Sequence, residues 1–337
     1  MPTVLIFPEA YYKTNAPYVQ MFQDAGFEIR YPEDPTFTRG LYGDEETIRE
    51  IEGVDATVAG GEHYTPRVIE SLPQLKVIAR AGVGFDRVNV DAASAHKVAV
   101  TVTPTSNHES VAELTLALLF AVTKRIVVND RAVRAGEWPT DLLMPIRGQI
   151  FGILGLGRIG RSTAVRARAL GMEVLACEKY PQQDFVQEQG IELVDFQQLL
   201  ERSDIVSIHC PLNDETRGMM NRDAFALMKD RSILLNTARG GVVAEADLLE
   251  ALQQGTIHAA GLDVFEEEPT SADNPLFQLD NVVVSPHKAG TDEKSSEGMG
   301  VEAADCIIKL SRGEWPEGAV VNDQLREGWS WERGPAG

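Results

Sequence analysis

The stretch Gln149-Ile150-Phe151-Gly152-Ile153-Leu154-Gly155-Leu156-Gly157-Arg158-Ile159-Gly160 decides the fold. Its first half is an apolar run that reads as a buried strand, and residues 162–170 have helix-forming composition, so the glycines fall on a strand-to-helix turn. At such a turn Gly155 permits the tight reversal, Gly157 lets a pyrophosphate approach the backbone, and Gly160 lets helix and strand pack closely. The unpaired N–H groups and positive dipole end of the helix then face the phosphates. The next strand, 173–176, leads through Cys177 to Glu178, 18 residues beyond Gly160. An acid at that distance accepts hydrogen bonds from the adenosine ribose and repels a 2′-phosphate, so the motif predicts a dinucleotide site that prefers NAD over NADP. Lys179 and Tyr180 follow directly and leave a phosphate-tolerant pocket open.

Working outward, six strands are expected in this block, at 149–154, 173–176, 205–209, 233–236, 258–260 and 282–285, with helices between them: a doubly wound parallel sheet of Rossmann type. Before it, strands at 4–7, 27–31, 56–59, 76–80 and 98–102 alternate with helical stretches, a second parallel α/β layer. Turn residues at Thr103-Pro104-Thr105-Ser106-Asn107 separate the two, and residues 111–128 read as one long helix with more apolar surface than one domain face needs. After Gly290 comes another helix, 293–310, and a tail rich in Gly, Pro and Trp that is expected to pack back on the first layer. The expected division is 1–103 and 291–337 for one discontinuous domain, with 104–290 inserted as the other.

The 337 residues fit that count, at ~150 per domain. A formal net charge of −20 opposes contacts with nucleic acid or an anionic membrane surface, and no Lys/Arg-rich run offsets it. The first residues lack a positive region followed by a long apolar stretch, so a soluble, cytoplasmic chain is expected. Cys177, Cys210 and Cys306 stand far apart in sequence, and neither a disulfide framework nor a metal site is expected.

Hydride exchange with a nicotinamide would need an acid/base and a cation for the substrate. Of the histidines, His63, His96, His108 and His258 fall in segments read as helix, loop or early strand. His209 and His287 fall at the carboxyl ends of strands, where open α/β sheets bind ligands. Arg239, in Asn236-Thr237-Ala238-Arg239-Gly240, lies at the same rim and offers a planar fork for a carboxylate. Gly261-Leu262-Asp263-Val264-Phe265-Glu266-Glu267-Glu268-Pro269 brings carboxylates there, and a carboxylate bonded to an imidazole fixes its tautomer and favours its protonated form.

These motifs, with Arg80-Ala81-Gly82-Val83-Gly84-Phe85-Asp86, Asn107 to Glu113, His209-Cys210-Pro211-Leu212 and Ser285-Pro286-His287, occur in an order that resembles the D-isomer-specific 2-hydroxyacid dehydrogenases. The resemblance covers nearly the whole chain. It implies a Rossmann-type NAD-binding domain inserted into a discontinuous flavodoxin-like substrate-binding domain. It further implies Arg239 on the substrate carboxylate and carbonyl, His287 as acid/base and Glu268 as its partner, with backbone N–H groups at Val83 and Gly84 as a second clamp. Arg158 and Ile159 would hold the pyrophosphate through their backbone, Cys210 and Pro211 border the adenosine, Thr237 and Ala238 line the cofactor cleft, and Asp263 face the nicotinamide. Ala289 and Gly290, together with Arg239 and His287, complete the implied cofactor contacts. His209 becomes a structural or cofactor-edge residue. The implied substrate is a 2-oxo or 2-hydroxy acid, as for phosphoglycerate dehydrogenases and glyoxylate/hydroxypyruvate reductases, and a homodimer through the nucleotide-binding block is expected.

Two departures stand out. Lys288 follows the histidine where most relatives have an apolar or small residue. The chain also leaves no room after Gly337 for the regulatory domain of some relatives, so control through one is not expected. An NAD(H)-sensing binding protein resembling C-terminal binding corepressors keeps the same Arg/Glu/His set and is the alternative. Formate enzymes carry Gln where this chain has Glu268, which argues against that branch; phosphite oxidation is not excluded by the triad.

Overall fold

The computed structural model describes residues 1–332; residues 333–337, assigned by the sequence reading to the C-terminal part of the first domain, lie outside the described residues. The chain divides into two compact units, Met1–Asn107 with the chain from Thr291 onward, and His108–Gly290.

In the first unit β1 (Thr3–Ile6), β2 (Glu28–Arg30), β3 (Ala56–Ala59), β4 (Val77–Arg80) and β5 (Ala99–Thr101) form a parallel sheet in the order β2-β1-β3-β4-β5. That is the flavodoxin-like order. The two-residue period of the strands explains its two cores. Val4, Ile6, Val58 and Ala79 meet Tyr18, Phe22, Ala303 and Ile307 on one side, while Leu5, Phe7 and Ile78 meet Ile51, Val68 and Leu72 on the other. The helices Pro17–Asp24 and Glu293–Ser311 approach closely at Gly300, where a Cβ would stand 2.4 Å from the Tyr18 ring. Beyond that helix the chain covers the edge of β5: the Val100 amide donates to Asn322 Oδ1 (2.9 Å), Asn322 Nδ2 donates to Val98 O (2.9 Å), and Trp329 Nε1 to Lys97 O (3.0 Å). An edge strand is thereby kept from pairing with another chain.

The second unit contains β6 (Ile150–Leu154), β7 (Glu173–Cys177), β8 (Glu192–Leu193), β9 (Ile205–Ile208), β10 (Ile233–Asn236), β11 (Ala259–Leu262) and β12 (Val282–Val284), all parallel, in the order β12-β11-β10-β9-β6-β7-β8. The order reverses at β6, whose neighbours are β7 and β9, and this is the switch point at which doubly wound sheets bind dinucleotides. The sheet has seven strands where the sequence shows six. β8 pairs only Glu192 and Leu193 with Leu175 and Ala176, too short a run to show a period.

The long helix expected over 111–128 is instead two helices, His108–Thr123 and Ile126–Arg134. Arg125 adopts a left-handed conformation (φ 49°, ψ 37°) and breaks the ladder between them. The first helix buries Leu118, Leu119 and Val122 against the sheet, whereas the second buries none of its residues. Among the described residues, no helix is long and apolar enough to cross a membrane.

Candidate active site

The glycine turn joins β6 to the helix Arg158–Ala169 as a close three-way contact. Gly155 takes φ +96°, its N–H donates to Cys177 O (2.9 Å), and a Cβ on it would lie 2.6 Å from the Cys210 nitrogen. A Cβ on Gly160 would lie 2.1 Å from Gly155 O, so helix and turn can touch only without a side chain there. Gly157 is the opposite case, since nothing stands within 4 Å of its missing Cβ. It is the N-cap of the helix and no side-chain cap serves the first turn, which leaves the Arg158 and Ile159 amides uncapped.

Glu178, one residue past β7, accepts from the Leu156 amide through Oε2 (2.6 Å) and from the Tyr180 amide through Oε1 (2.9 Å). It therefore fixes the glycine turn as well as placing negative charge beside it. A cradle without side chains, uncapped amides and a carboxylate at the next strand end fit the pyrophosphate and ribose of a dinucleotide. His209 and Cys210, just beyond β9, wall the other side. The His209 imidazole, bonded to Ser207 (2.8 Å), is held by burial down to about 3, and burial pushes the Cys210 thiol up to about 11, so neither offers acid/base or thiolate chemistry at neutral pH. Pro211 follows them, its carbonyl taking the Thr216 hydroxyl (2.7 Å).

The ends of β10, β11 and β12 are adjacent and carry the other candidates. Buried Asn236 shapes the turn after β10: its Oδ1 accepts from the Ala238 amide (3.0 Å) and its Nδ2 donates to Arg239 O (2.9 Å). Arg239 donates to Ala238 O (2.7 Å), and Thr237 is fixed by Thr115 (2.8 Å). Next to it, a Cβ on Gly240 would fall 1.9 Å from the Phe265 backbone, so the β10 and β11 turns are wedged together.

Asp263 is completely buried after β11 and binds the turn after β12. Its carbonyl accepts from His287 N (2.7 Å), Oδ1 from Lys288 N (2.9 Å) and Oδ2 from Ala289 N (2.8 Å). The turn is further tied by Ser110 Oγ, which donates to Ala289 O (2.7 Å) immediately before Gly290. Held this way, His287 takes a left-handed backbone (φ 52°), strained for a residue with a Cβ and typical of functional positions. Its Nδ1 lies 2.6 Å from Glu268 Oε2, and Glu268 Oε1 accepts from the Phe265 amide (3.0 Å). The imidazole is thus bonded at one nitrogen to an anchored carboxylate, the arrangement of a directed acid/base.

Val83 and Gly84 belong to the first unit, in the turn after β4. Thr103 ties the start of that turn by accepting from the Gly82 amide (2.8 Å), and Arg80 Nε donates to Gly84 O (3.1 Å). No acceptor among the described residues meets the Val83 or Gly84 amide. Asn236, Ser110 and Gly240 are additions to the residues read from sequence; an Asn directly ahead of Thr-Ala-Arg-Gly was the visible signal for the first. Among the described residues no cluster of three His, Cys, Asp or Glu side chains could hold a metal ion.

Residues 116–289 match the model of the D-isomer specific 2-hydroxyacid dehydrogenase NAD-binding domain, and the chain belongs to that family. It is similar to a D-3-phosphoglycerate dehydrogenase of Archaeoglobus fulgidus, 40% identical over 272 residues that cover 80% of this chain and 52% of the relative. It is also similar to a glyoxylate reductase of Thermococcus litoralis, 38% identical over 309 residues, covering 89% and 92%. The chain therefore spans about half the length of the first relative and nearly all of the second. Among solved structures, the D-lactate dehydrogenase of Aquifex aeolicus complexed with NAD and lactic acid superposes with a TM-score of 0.81 at 28% identity, covering 95% of this chain and 98% of that one.

Proposed function

We propose that the chain interconverts a 2-oxo acid and the corresponding D-2-hydroxy acid with NAD(H). The observation that carries this reading is the Glu268–His287 pair, seated on the Asp263 turn in a chain of this family. Arg239 binds the substrate carboxylate through its planar guanidinium and orients the carbonyl. NADH, when bound, supplies the hydride to the carbonyl carbon. His287 gives the proton from Nε2 to the carbonyl oxygen while Glu268 holds Nδ1 and offsets the imidazolium charge; neutral His287 then regains a proton from solvent. Proton transfer of this kind contributes about 10²–10⁴-fold to rate, with orientation and charge stabilisation supplying more.

The test is initial rates of NADH and NADPH oxidation with glyoxylate, hydroxypyruvate, pyruvate, 2-oxoglutarate and 3-phosphohydroxypyruvate. Turnover of at least one with NADH is expected. No turnover of any, together with nucleotide-dependent self-association, would favour an NAD(H) sensor instead.

We also infer a homodimer through the nucleotide-binding unit. The helix Ile126–Arg134 buries none of its residues, and Ile126 (55% exposed), Val133 (50%), Trp138 (82%) and Leu142 (99%) leave large apolar side chains exposed on it and just after it, which supports this reading. Light scattering at micromolar concentration should give twice 36.9 kDa; a monomer would remove the inference.

A further inference from the structure

The strand ends on either side of the glycine turn are joined by an ion pair. Leu154, the last residue of β6, pairs with Cys177 of β7 on one side and with Ile208 of β9 on the other, so the chain leaving β7 and the chain leaving β9 flank the turn. Lys179, next after Glu178 on the β7 side, places Nζ 3.0 Å from both Oε1 and Oε2 of Glu215 on the β9 side. Glu215 is held for this contact by its own loop. Its amide donates to Asn213 Oδ1 (3.0 Å), the Asn213 amide donates to Thr216 Oγ1 (2.9 Å), and Thr216 in turn is fixed at Pro211. The bond to Glu215 raises the Lys179 pKa, which keeps the ammonium charged throughout the neutral range. Arg217, the other cation of that loop, stands toward the β10 side, where a Cβ on Gly241 would lie 3.5 Å from its Nη1.

A dinucleotide seated in the cradle described above sets its adenosine ribose toward Glu178. A 2′-phosphate there brings about two negative charges and needs a cation at the same strand end. Lys179, one residue from Glu178, is the cation that the sequence supplies at that point. Its ammonium is already spent on a carboxylate, and that carboxylate adds a second negative charge to the one on Glu178. The pair is open to water, with side chains 61% and 71% exposed, so its hold on Lys179 is worth a few-fold in an equilibrium rather than a hundredfold.

We propose that Glu215 is a cofactor-specificity residue, which ties down Lys179 and so denies a 2′-phosphate the lysine beside Glu178. This rests on the dinucleotide site and not on the reaction assigned above. Kd for NADH and for NADPH is measured by fluorescence titration on the wild-type chain, Glu215→Gln, Lys179→Gln and the double variant, each checked for folding by circular dichroism. The wild type should bind NADH more tightly, and Glu215→Gln should shift the ratio of the two Kd values toward NADPH by roughly fivefold. In the Lys179→Gln background the same substitution should shift it by less than about twofold, because there is no ammonium to release. An unchanged ratio in Glu215→Gln would overturn the proposal, and so would a wild type that binds NADPH as tightly as NADH. An equal shift with and without Lys179 would show that Glu215 acts by its own charge alone and would overturn the tie to Lys179. Binding of neither nucleotide by the wild type would overturn the dinucleotide site itself, and this proposal with it.

Discussion

His287 Nδ1 and Glu268 Oε2 stand 2.6 Å apart, and the Phe265 amide holds the other oxygen of the same carboxylate. Glu268→Gln can keep the Phe265 contact but presents an N–H₂ to Nδ1, or turns its amide and loses Phe265. The first option drives the imidazole to the tautomer with Nδ1 as acceptor and removes the charge that favours the imidazolium. We expect kcat for 2-oxo acid reduction to fall by about 10²-fold or more, with NADH binding retained. Unchanged kcat in steady-state assays would show that the pair is only structural.

Gly155 and Gly218 both take positive φ, +96° and +61°, but a Cβ meets backbone only at Gly155. Gly218→Ala should therefore lose just the conformational cost, about 1–2 kcal/mol, while Gly155→Ala should lose more and weaken NADH binding at least ~tenfold. Thermal melts and NADH titration of the two variants check this; equal losses would mean that the contact with Cys210 yields without consequence.

Glu178 spends both oxygens on the Leu156 and Tyr180 amides and still puts a negative charge where a 2′-phosphate would lie. The wild-type chain should prefer NADH, and Glu178→Ser should raise the NADPH/NADH ratio of kcat/KM roughly tenfold. A wild-type preference for NADPH would contradict the assignment.

His209 couples the same region to acid stability. Its imidazole ordinarily titrates near 6.5 but burial holds it at about 3 in the folded chain. Between those values the unfolded chain takes up a proton that the folded chain refuses, so stability falls as pH drops from about 6.5 toward 3 and is unaffected by this group above that window. The urea midpoint should decline less steeply from pH 7 to pH 5 in His209→Gln than in the wild type; identical declines would show that His209 does not contribute.

The residues that announce themselves in sequence are those whose role follows from local spacing. Gly155, Gly157 and Gly160 could be placed on a strand-to-helix turn because an apolar run precedes them and a helical one follows, and two parallel α/β sheets follow from strands of ordinary length, the flavodoxin-like form of the first being implied by the resemblance. The strand Glu192–Leu193 was not legible because two residues show no period, and the helix break at Arg125 was not because neither glycine nor proline marks it. Within the site, the resemblance directed attention to Asp263 as a neighbour of the nicotinamide. Its observed bonds, to Lys288 and Ala289, depend on the register of β11 against β12, which no local pattern encodes.

The most direct test of the proposed reaction is the single-turnover rate of His287→Ala with saturating NADH and a 2-oxo acid that the wild type reduces, measured beside NADH affinity. The account predicts a rate reduced by about 10³-fold or more with NADH affinity within about threefold of wild type. A rate near the wild-type value would contradict it.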